Sequence, residues 1–276
     1  MGIWLGPIGA GTIEQGDFSY AGDYIFTVDP NNSRKWELAI LSGSASDLVF
    51  LKNPGLVDIF MVAGGQSGSY GSGYAYGGSN IGGKGGNGGE CKTESSVALA
   101  ANTNYKVTIG ASDGNTTFSG GGLSFIAVSG NGKPGGVGGQ SSTNTDYVYD
   151  ATPGTDGDFA FGEQSSTLIT PGFIGHRFGQ GGGGAGGMIA QYPNTYSYMA
   201  DGARGGKTNN ATNPQQDGSA GAGARTSGIG GHNGTNGLAN HGQGGGGAEL
   251  YANGYNNANG YVGSGGSGVI FIRPHQ

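Results

Sequence analysis

The side chains able to carry out acid–base or metal chemistry are few and scattered along this sequence. None of the histidines has a partner at the spacing of zinc ligands, and one cysteine cannot form an intrachain disulfide. No local signature places a serine, a histidine and an aspartate together, and no carboxylate pair can be assigned to glycoside cleavage. The residues concerned are His176, His232, His241, His275 and Cys91. We therefore expect no enzyme, no metal site and no cofactor.

Two matches to nucleotide-binding motifs lack the context that gives those motifs meaning. Residues 263–268 satisfy G-x-G-x-x-G, but they precede a strand, whereas the dinucleotide fingerprint follows a strand and opens a helix. Residues 201–208 approach a P-loop, but Asp201 stands where the first glycine belongs and residues 209–214 cannot begin a helix. Nucleotide binding is therefore not expected.

Three aspartates lie close together in the middle of the chain, at Asp150, Asp156 and Asp158. The segment 154–158 is similar to one turn of a calcium-binding β-roll, but a roll needs several copies. A turn with solvated carboxylates is the favoured interpretation, and ion binding stays open.

Tyrosine is concentrated between blocks of glycine, where its neighbours are mainly Asn, Ser, Gly and Thr. Eleven of the 14 tyrosines lie there: Tyr70, Tyr74, Tyr76, Tyr147, Tyr149, Tyr192, Tyr196, Tyr198, Tyr251, Tyr255 and Tyr261. Rigid amphipathic rings among small polar groups are the composition of an antibody paratope. Each tyrosine could instead cap the glycine scaffold and cover its backbone. For the clusters as a group we expect a binding surface, with these loop-tip residues: Tyr70, Tyr74, Tyr76, Tyr192, Tyr196, Tyr198, Tyr251, Tyr255 and Asn256.

Glycine, at 66 of 276 residues, recurs at every third position in short blocks such as 82–89, 132–139 and 228–237. A period of three is that of polyproline II geometry, which has no internal hydrogen bonds. Glycine allows neighbouring helices to approach until their backbones bond to one another. The composition argues against a disordered linker, because aromatic residues reach 10% while charged residues are only 11%. The sequence therefore predicts a bundle of polyglycine II helices.

Strand-like runs surround and interrupt the glycine blocks. They are rich in β-branched and aromatic residues and cover 24–28, 36–41, 47–51, 56–63, 105–109, 124–128 and 268–273. No stretch keeps a period of 3.6, so we expect almost no α-helix. The fold class predicted is all-β and irregular, a small jelly-roll-like sandwich supporting the bundle. Residues 1–63 would form a β-rich attachment region and 64–276 the glycine-rich domain, whose last strand, 268–273, is continuously apolar and returns to the centre of the sandwich.

Charge and hydropathy limit the partners. A formal net charge of −6 and a pI near 5 make nucleic acid an unexpected partner. No run of 18 apolar residues exists, so no membrane insertion is expected. Residues 1–16 lack the features of a secretory signal peptide. If the protein acts outside a cell, it must leave by another route, such as assembly into a virus particle followed by lysis.

The order of these segments resembles a known family. The strand ending at 59–65 leads into glycine blocks, a short 105–110 segment follows, and the chain ends in 265–273. This resembles the glycine-rich domains of bacteriophage tail-fibre and tail-tip proteins, over roughly residues 56–276. T-even-type distal tail-fibre adhesins are a more remote likeness.

The resemblance implies a receptor-binding adhesin on the virion tail, extracellular after lysis. Its partners would be a host-surface glycan or protein and other virion proteins. Two alternatives remain: a structural virion protein that joins or decorates fibres, and an ice-binding protein, which would need a flat regular face.

Overall fold

The structure, a computed structural model, describes residues 12–71, 80–81, 83–138, 140–141, 148–149, 151–163, 170–185, 188–191, 195–198, 234–248 and 261–276. Its strands are β1 (Phe18–Tyr20), β2 (Tyr24–Asp29), β3 (Asn32–Ile40), β4 (Ser46–Phe50), β5 (Gly55–Val62), β6 (Asn80–Ile81), β7 (Cys91–Leu99), β8 (Asn104–Thr108), β9 (Thr116–Gly120), β10 (Leu123–Ala127), β11 (Gln140–Ser141), β12 (Val148–Tyr149), β13 (Asp158–Phe159), β14 (Arg177–Phe178), β15 (Met188–Gln191), β16 (Thr195–Tyr198) and β17 (Val269–Pro274). Within the described residues the helices are two short 3₁₀ turns, at Gln15–Asp17 and Ala160–Gly162. The prediction of an all-β fold with almost no α-helix is confirmed.

Two five-stranded antiparallel sheets form a sandwich. Sheet 1 has the order β1-β4-β8-β9-β10 and sheet 2 the order β2-β3-β17-β5-β7. Alternate side chains of the two inner faces, among them Trp36, Leu38, Tyr105 and Phe118, make one buried layer between the sheets. Burial of this layer is what holds the sandwich together, since apolar area removed from water stabilises by about 25 cal/mol per Å².

The C-terminal strand lies at the centre of sheet 2, as its apolar sequence predicts. β17 pairs with β3 on one side and β5 on the other. Ile270 and Ile272 point into the layer between the sheets, whereas Val269 and Phe271 pack on the outer face of sheet 2. A strand buried on both faces needs apolar residues at every position, which explains why this one shows no alternation.

The sandwich is not confined to the residues before position 63. Strands β7 to β10 and β17 follow that position, and they supply half of the two main sheets. The sequence pattern does not predict β7, because β7 is an edge strand whose residues 91–96 are polar or small and partly exposed. The change in composition at 63/64 therefore marks where glycine blocks begin, while the chain passes repeatedly between sandwich and bundle.

The glycine blocks form the bundle beside this sandwich. Four segments lead away from the sandwich, 64–71, 132–138, 179–185 and 242–248, and are called the outward segments. Four lead back, 83–90, 151–157, 234–239 and 261–268, and are called the return segments. The described glycines of the segments have negative φ apart from Gly179 and Gly242, which begin two outward segments.

The three faces of one return segment show the predicted threefold geometry directly. The N–H groups of Gly85 and Gly88 donate to Gly136 and Lys133 of one neighbour. Gly86 and Gly89 donate to a second neighbour, 242–248. The third row of residues accepts hydrogen bonds from the segment 64–71, so each face of the helix meets a different chain segment.

The bundle requires glycine because its backbones lie too close together for a Cβ atom. A Cβ atom added at Gly244 would stand 2.0 Å from the carbonyl oxygen of Gly86, and one at Gly247 2.2 Å from that of Gly83. No side chain fits at such distances, so backbone hydrogen bonds hold these segments and side chains do not.

Candidate functional site

The loops between outward and return segments leave the bundle at one end. Gly71, the last described residue of the first outward segment, donates its N–H to the carbonyl oxygen of Ala248, which ends another outward segment. Gly83, which begins a return segment, donates to the same oxygen, and Ala185 donates to Gly83. The points where three loops join the bundle are therefore in direct contact.

The remaining junctions lie at the same level of the bundle. Gly184 donates to Thr152, and Thr152 donates to Val137, which joins the loop 139–150 to this end. Gly234 donates to Tyr261, which joins the loops 186–233 and 249–260. We call this surface the loop end.

The sandwich occupies the opposite end. Ala63 follows β5 directly and donates to Glu90, which precedes β7, while Gly268 precedes β17. The bundle therefore holds the loop end away from the sandwich at a separation set by its rigid, hydrogen-bonded segments. Function carried on loops and held by a rigid frame is a common arrangement in proteins.

Strands from three different loops meet beyond the bundle. β6, β11 and β12 form one small sheet, which joins the loop 72–82 to the loop 139–150. β15, from the loop 186–233, lies next to β6 and β11 and pairs with β16. Three of the four loops therefore contact one another at the loop end and do not fold separately.

Two tyrosines of this end have described side chains, and both are exposed. Tyr70 is 52% exposed and Tyr261 is 75% exposed, among the highest values of the large apolar side chains in the described residues. Tyr196 and Tyr198 belong to β16, and Tyr149 to β12. The other expected contact residues lie outside the described residues: Tyr74, Tyr76, Tyr192, Tyr251, Tyr255 and Asn256.

The base of the loop 72–82 is fixed by hydrogen bonds in both directions. Ser69 donates its N–H to the carbonyl oxygen of Lys84 over 2.8 Å, and the Ser69 hydroxyl accepts from the N–H of Lys84 over 2.8 Å. A fixed base lowers the conformational entropy lost when a loop binds a partner.

Two histidines meet at the sandwich end of the bundle, although nothing in their spacing indicates it. His241 donates from Nδ1 to the carbonyl oxygen of Ala239 over 2.7 Å, so its Nε2 accepts from His176 Nδ1 over 2.9 Å. Burial lowers the pKa of His241 to about 4 and lowers that of His176 as well. Both rings pack beside Phe173 and act as neutral parts of the core.

Chemistry based on metal ions finds no support in the described part of the chain. No group of three or more His, Cys, Asp or Glu side chains there could hold an ion. Asp158 is paired with Lys133 at 2.8 Å, and Asp150 lies outside the described residues.

A sequence model of the glycine-rich domain matches residues 42–274, which is most of the chain and includes the bundle and every strand from β4 to β17. The chain belongs to the glycine-rich domain family. No curated protein matches it. Within its described residues, no helix has the length and apolar character needed to cross a membrane.

Proposed function

We propose that this glycine-rich domain protein is a receptor-binding adhesin on the surface of a bacteriophage tail fibre or tail tip, with the loop end as its contact surface. The observation that carries the proposal is the common end of the four loops, held away from the sandwich by a backbone-bonded bundle. Those loops and their junctions contain eleven tyrosines in a setting of Asn, Ser and Gly. The arrangement resembles a paratope in its composition and in the rigid frame that carries its loops.

The chemistry of the loop end favours a glycan or an outer-surface protein of the host. Exposed rings such as Tyr70 and Tyr261 can stack on the apolar faces of sugars. The amide and hydroxyl side chains of neighbouring Asn and Ser residues can form hydrogen bonds with the hydroxyl groups of the sugar. Because the bundle does not use loop side chains for its stability, the loops can vary without loss of the scaffold. No cofactor is needed for such binding, and the protein would act in the virion tail and outside the cell after lysis.

The sandwich is the surface expected to attach the chain to other virion proteins. Its exposed apolar side chains include Leu51, which is 53% exposed in the β4–β5 connection, at the end remote from the bundle. An adhesin needs two such ends, one for the particle and one for the host.

Competition for adsorption tests this function. Purified chain added in excess to host cells should slow the adsorption of the phage that carries it, because receptors become occupied. Electron microscopy of particles labelled with an antibody against the loop end should place the label at a free tip. Normal adsorption together with a label buried between subunits would favour the structural alternative, a protein that joins or decorates fibres without host contact.

A further inference from the structure

A serine, a histidine and an aspartate meet on the outer face of sheet 2, far apart in sequence. The hydroxyl oxygen of Ser96 lies 2.8 Å from Nε2 of His275, and Nδ1 of His275 lies 2.8 Å from Oδ1 of Asp58. We infer that Ser96, His275 and Asp58 form a nucleophilic triad that acts on small activated esters. This departs from the sequence-based expectation that the chain has no catalytic role.

The hydrogen-bond roles follow from the chemistry of the three groups. An ionised carboxylate only accepts, so Nδ1 of His275 carries the proton that it shares with Asp58. Nε2 of the neutral ring is then an acceptor and receives the hydroxyl proton of Ser96. This is the tautomer and the order of contacts that a serine nucleophile requires.

A bulge in β7 presents the serine to its partners. Val57 of β5 opposes Val97, but Ile59 opposes Glu94, so two residues of β7 face Asp58 alone. Ser96 has a φ of 56°, a conformation that a non-glycine residue rarely adopts, and its N–H donates to Asp58 Oδ1 over 3.0 Å. The bulge turns the Ser96 side chain outwards, where it is exposed.

The aspartate is the sheltered member of the triad. The side chain of Asp58 is 10% exposed and that of His275 is 36% exposed, so solvent reaches the ring but hardly the carboxylate. Arg273 opposes Asp58 across the β17–β5 pair, and its Nη2 forms a salt bridge with Oε1 of Glu163 over 3.0 Å. The backbone N–H of His275 donates to Leu56, which fixes the ring's position on the sheet.

A cavity of about 300 Å³ lies on the same face of sheet 2. Phe60, two residues beyond Asp58 on β5, and Thr93, three residues before Ser96 on β7, both line it. A two-residue step along a strand is about 7 Å, so the cavity is within reach of a small molecule at the triad. The rest of the lining is Cys91, Asp158, Phe159, Gly162 and Arg177, so the cavity offers both aromatic and charged side chains to an ester.

The proposed reaction is acyl transfer to the serine followed by hydrolysis. Ser96 Oγ forms a bond to the ester carbonyl carbon while its proton passes to His275 Nε2, and the alcohol then leaves with that proton as the C–O bond breaks. Water next gives a proton to Nε2 and its oxygen to the acyl carbon, and the Oγ–acyl bond breaks as Oγ recovers the proton. Because the Ser96 N–H is already used by Asp58, it does not stabilise the oxyanion, and we expect slow turnover limited to good leaving groups.

Labelling with a fluorescent fluorophosphonate tests the triad in the full chain. An activated serine displaces fluoride, and one probe per chain should map to Ser96 by mass spectrometry. Ser96→Ala should abolish labelling, and His275→Gln should slow it at least tenfold, as expected for the loss of a general base. Ser95→Ala, a substitution of the exposed neighbour on the same strand, should label at the wild-type rate. The rate of p-nitrophenyl acetate hydrolysis should likewise be equal in the wild type and Ser95→Ala, lower in His275→Gln and absent in Ser96→Ala.

Failure of the triad would be clear in the same experiment. An unlabelled wild-type chain, or labelling unchanged in Ser96→Ala or His275→Gln, would overturn the inference. Should His275→Gln fail to fold, the wild-type chain still decides the matter. A wild-type chain that stays unlabelled, or whose label maps to a residue other than Ser96, overturns the inference without that variant.

Discussion

His176 donates a hydrogen bond from Nδ1 to Nε2 of His241 over 2.9 Å, across 65 residues of sequence. The pair lies where an outward segment of the bundle begins, with the His241 ring stacked on Phe178 at an interplanar angle of 17°. Because both rings are neutral in this packing, the joint between bundle and sandwich depends on the protonation of two histidines.

The first prediction is a loss of stability in mild acid. The pKa of His241 in the folded chain is about 4, against an ordinary value of 6.5, so between these values the unfolded chain binds more protons. The free energy of unfolding should therefore be highest above pH 6.5 and fall by roughly 3 kcal/mol towards pH 4 through this residue. Urea denaturation at a series of pH values measures it. His241→Asn, which keeps a donor for Ala239, should be less stable at neutral pH and lose less on acidification; equal pH slopes for the two proteins would contradict the assignment.

The second prediction concerns close approach in the bundle. A Cβ atom at Gly85 would lie 2.1 Å from the carbonyl oxygen of Gly182, so Gly85→Val must push two backbones apart. We expect a destabilisation of about 2–4 kcal/mol, from overpacking and lost backbone hydrogen bonds. Gly16→Val is the matched control, since a Cβ there meets no atom within 4 Å. Equal melting temperatures for Gly85→Val and the wild type would count against the bundle.

The third prediction concerns Thr116, which ties the two sheets together beside the bundle. Its buried hydroxyl donates to the carbonyl oxygen of Val62 over 2.8 Å and accepts from the N–H of Gly110 over 3.0 Å. Thr116→Val keeps the shape but leaves a donor and an acceptor unmatched, and should cost about 2–3 kcal/mol in chemical denaturation. Thr117→Val, at the half-buried neighbouring position, should stay within about 0.5 kcal/mol of wild type. Similar losses for both variants would show that strand propensity, and not the buried hydroxyl, sets the effect.

The fourth prediction concerns the exposed rings of the loop end. The double change Tyr70→Ala and Tyr261→Ala should weaken binding to host cells by about tenfold or more, because aromatic anchors dominate such surfaces. Thermal melting should change little, since both rings are exposed and the bundle is held by backbone bonds. Leu51→Ala, at the opposite end, is the control and should bind cells normally. Normal cell binding by the tyrosine variant, with failure to enter particles, would instead support the structural role.

Much of the scaffold could be predicted from local sequence patterns. The apolar run at the C-terminal end predicted a strand buried on both faces, and β17 lies at the centre of sheet 2. The glycine period of three predicted helices that bond sideways, and Gly85 and Gly86 do bond to different neighbours. Both features are local, because side-chain period and backbone freedom are properties of a few consecutive residues.

The partners of each segment could not be predicted in the same way. Bundle hydrogen bonds join backbone groups that are identical at every glycine, so the sequence carries no mark of which segment neighbours which. The common end of the four loops, the contact of His176 with His241, and the meeting of Ser96 with Asp58 and His275 all depend on those choices. The sequence by itself determined that the chain makes strands and threefold glycine helices; the tertiary structure decided which side chains meet, because long-range register is set by packing and not by local period.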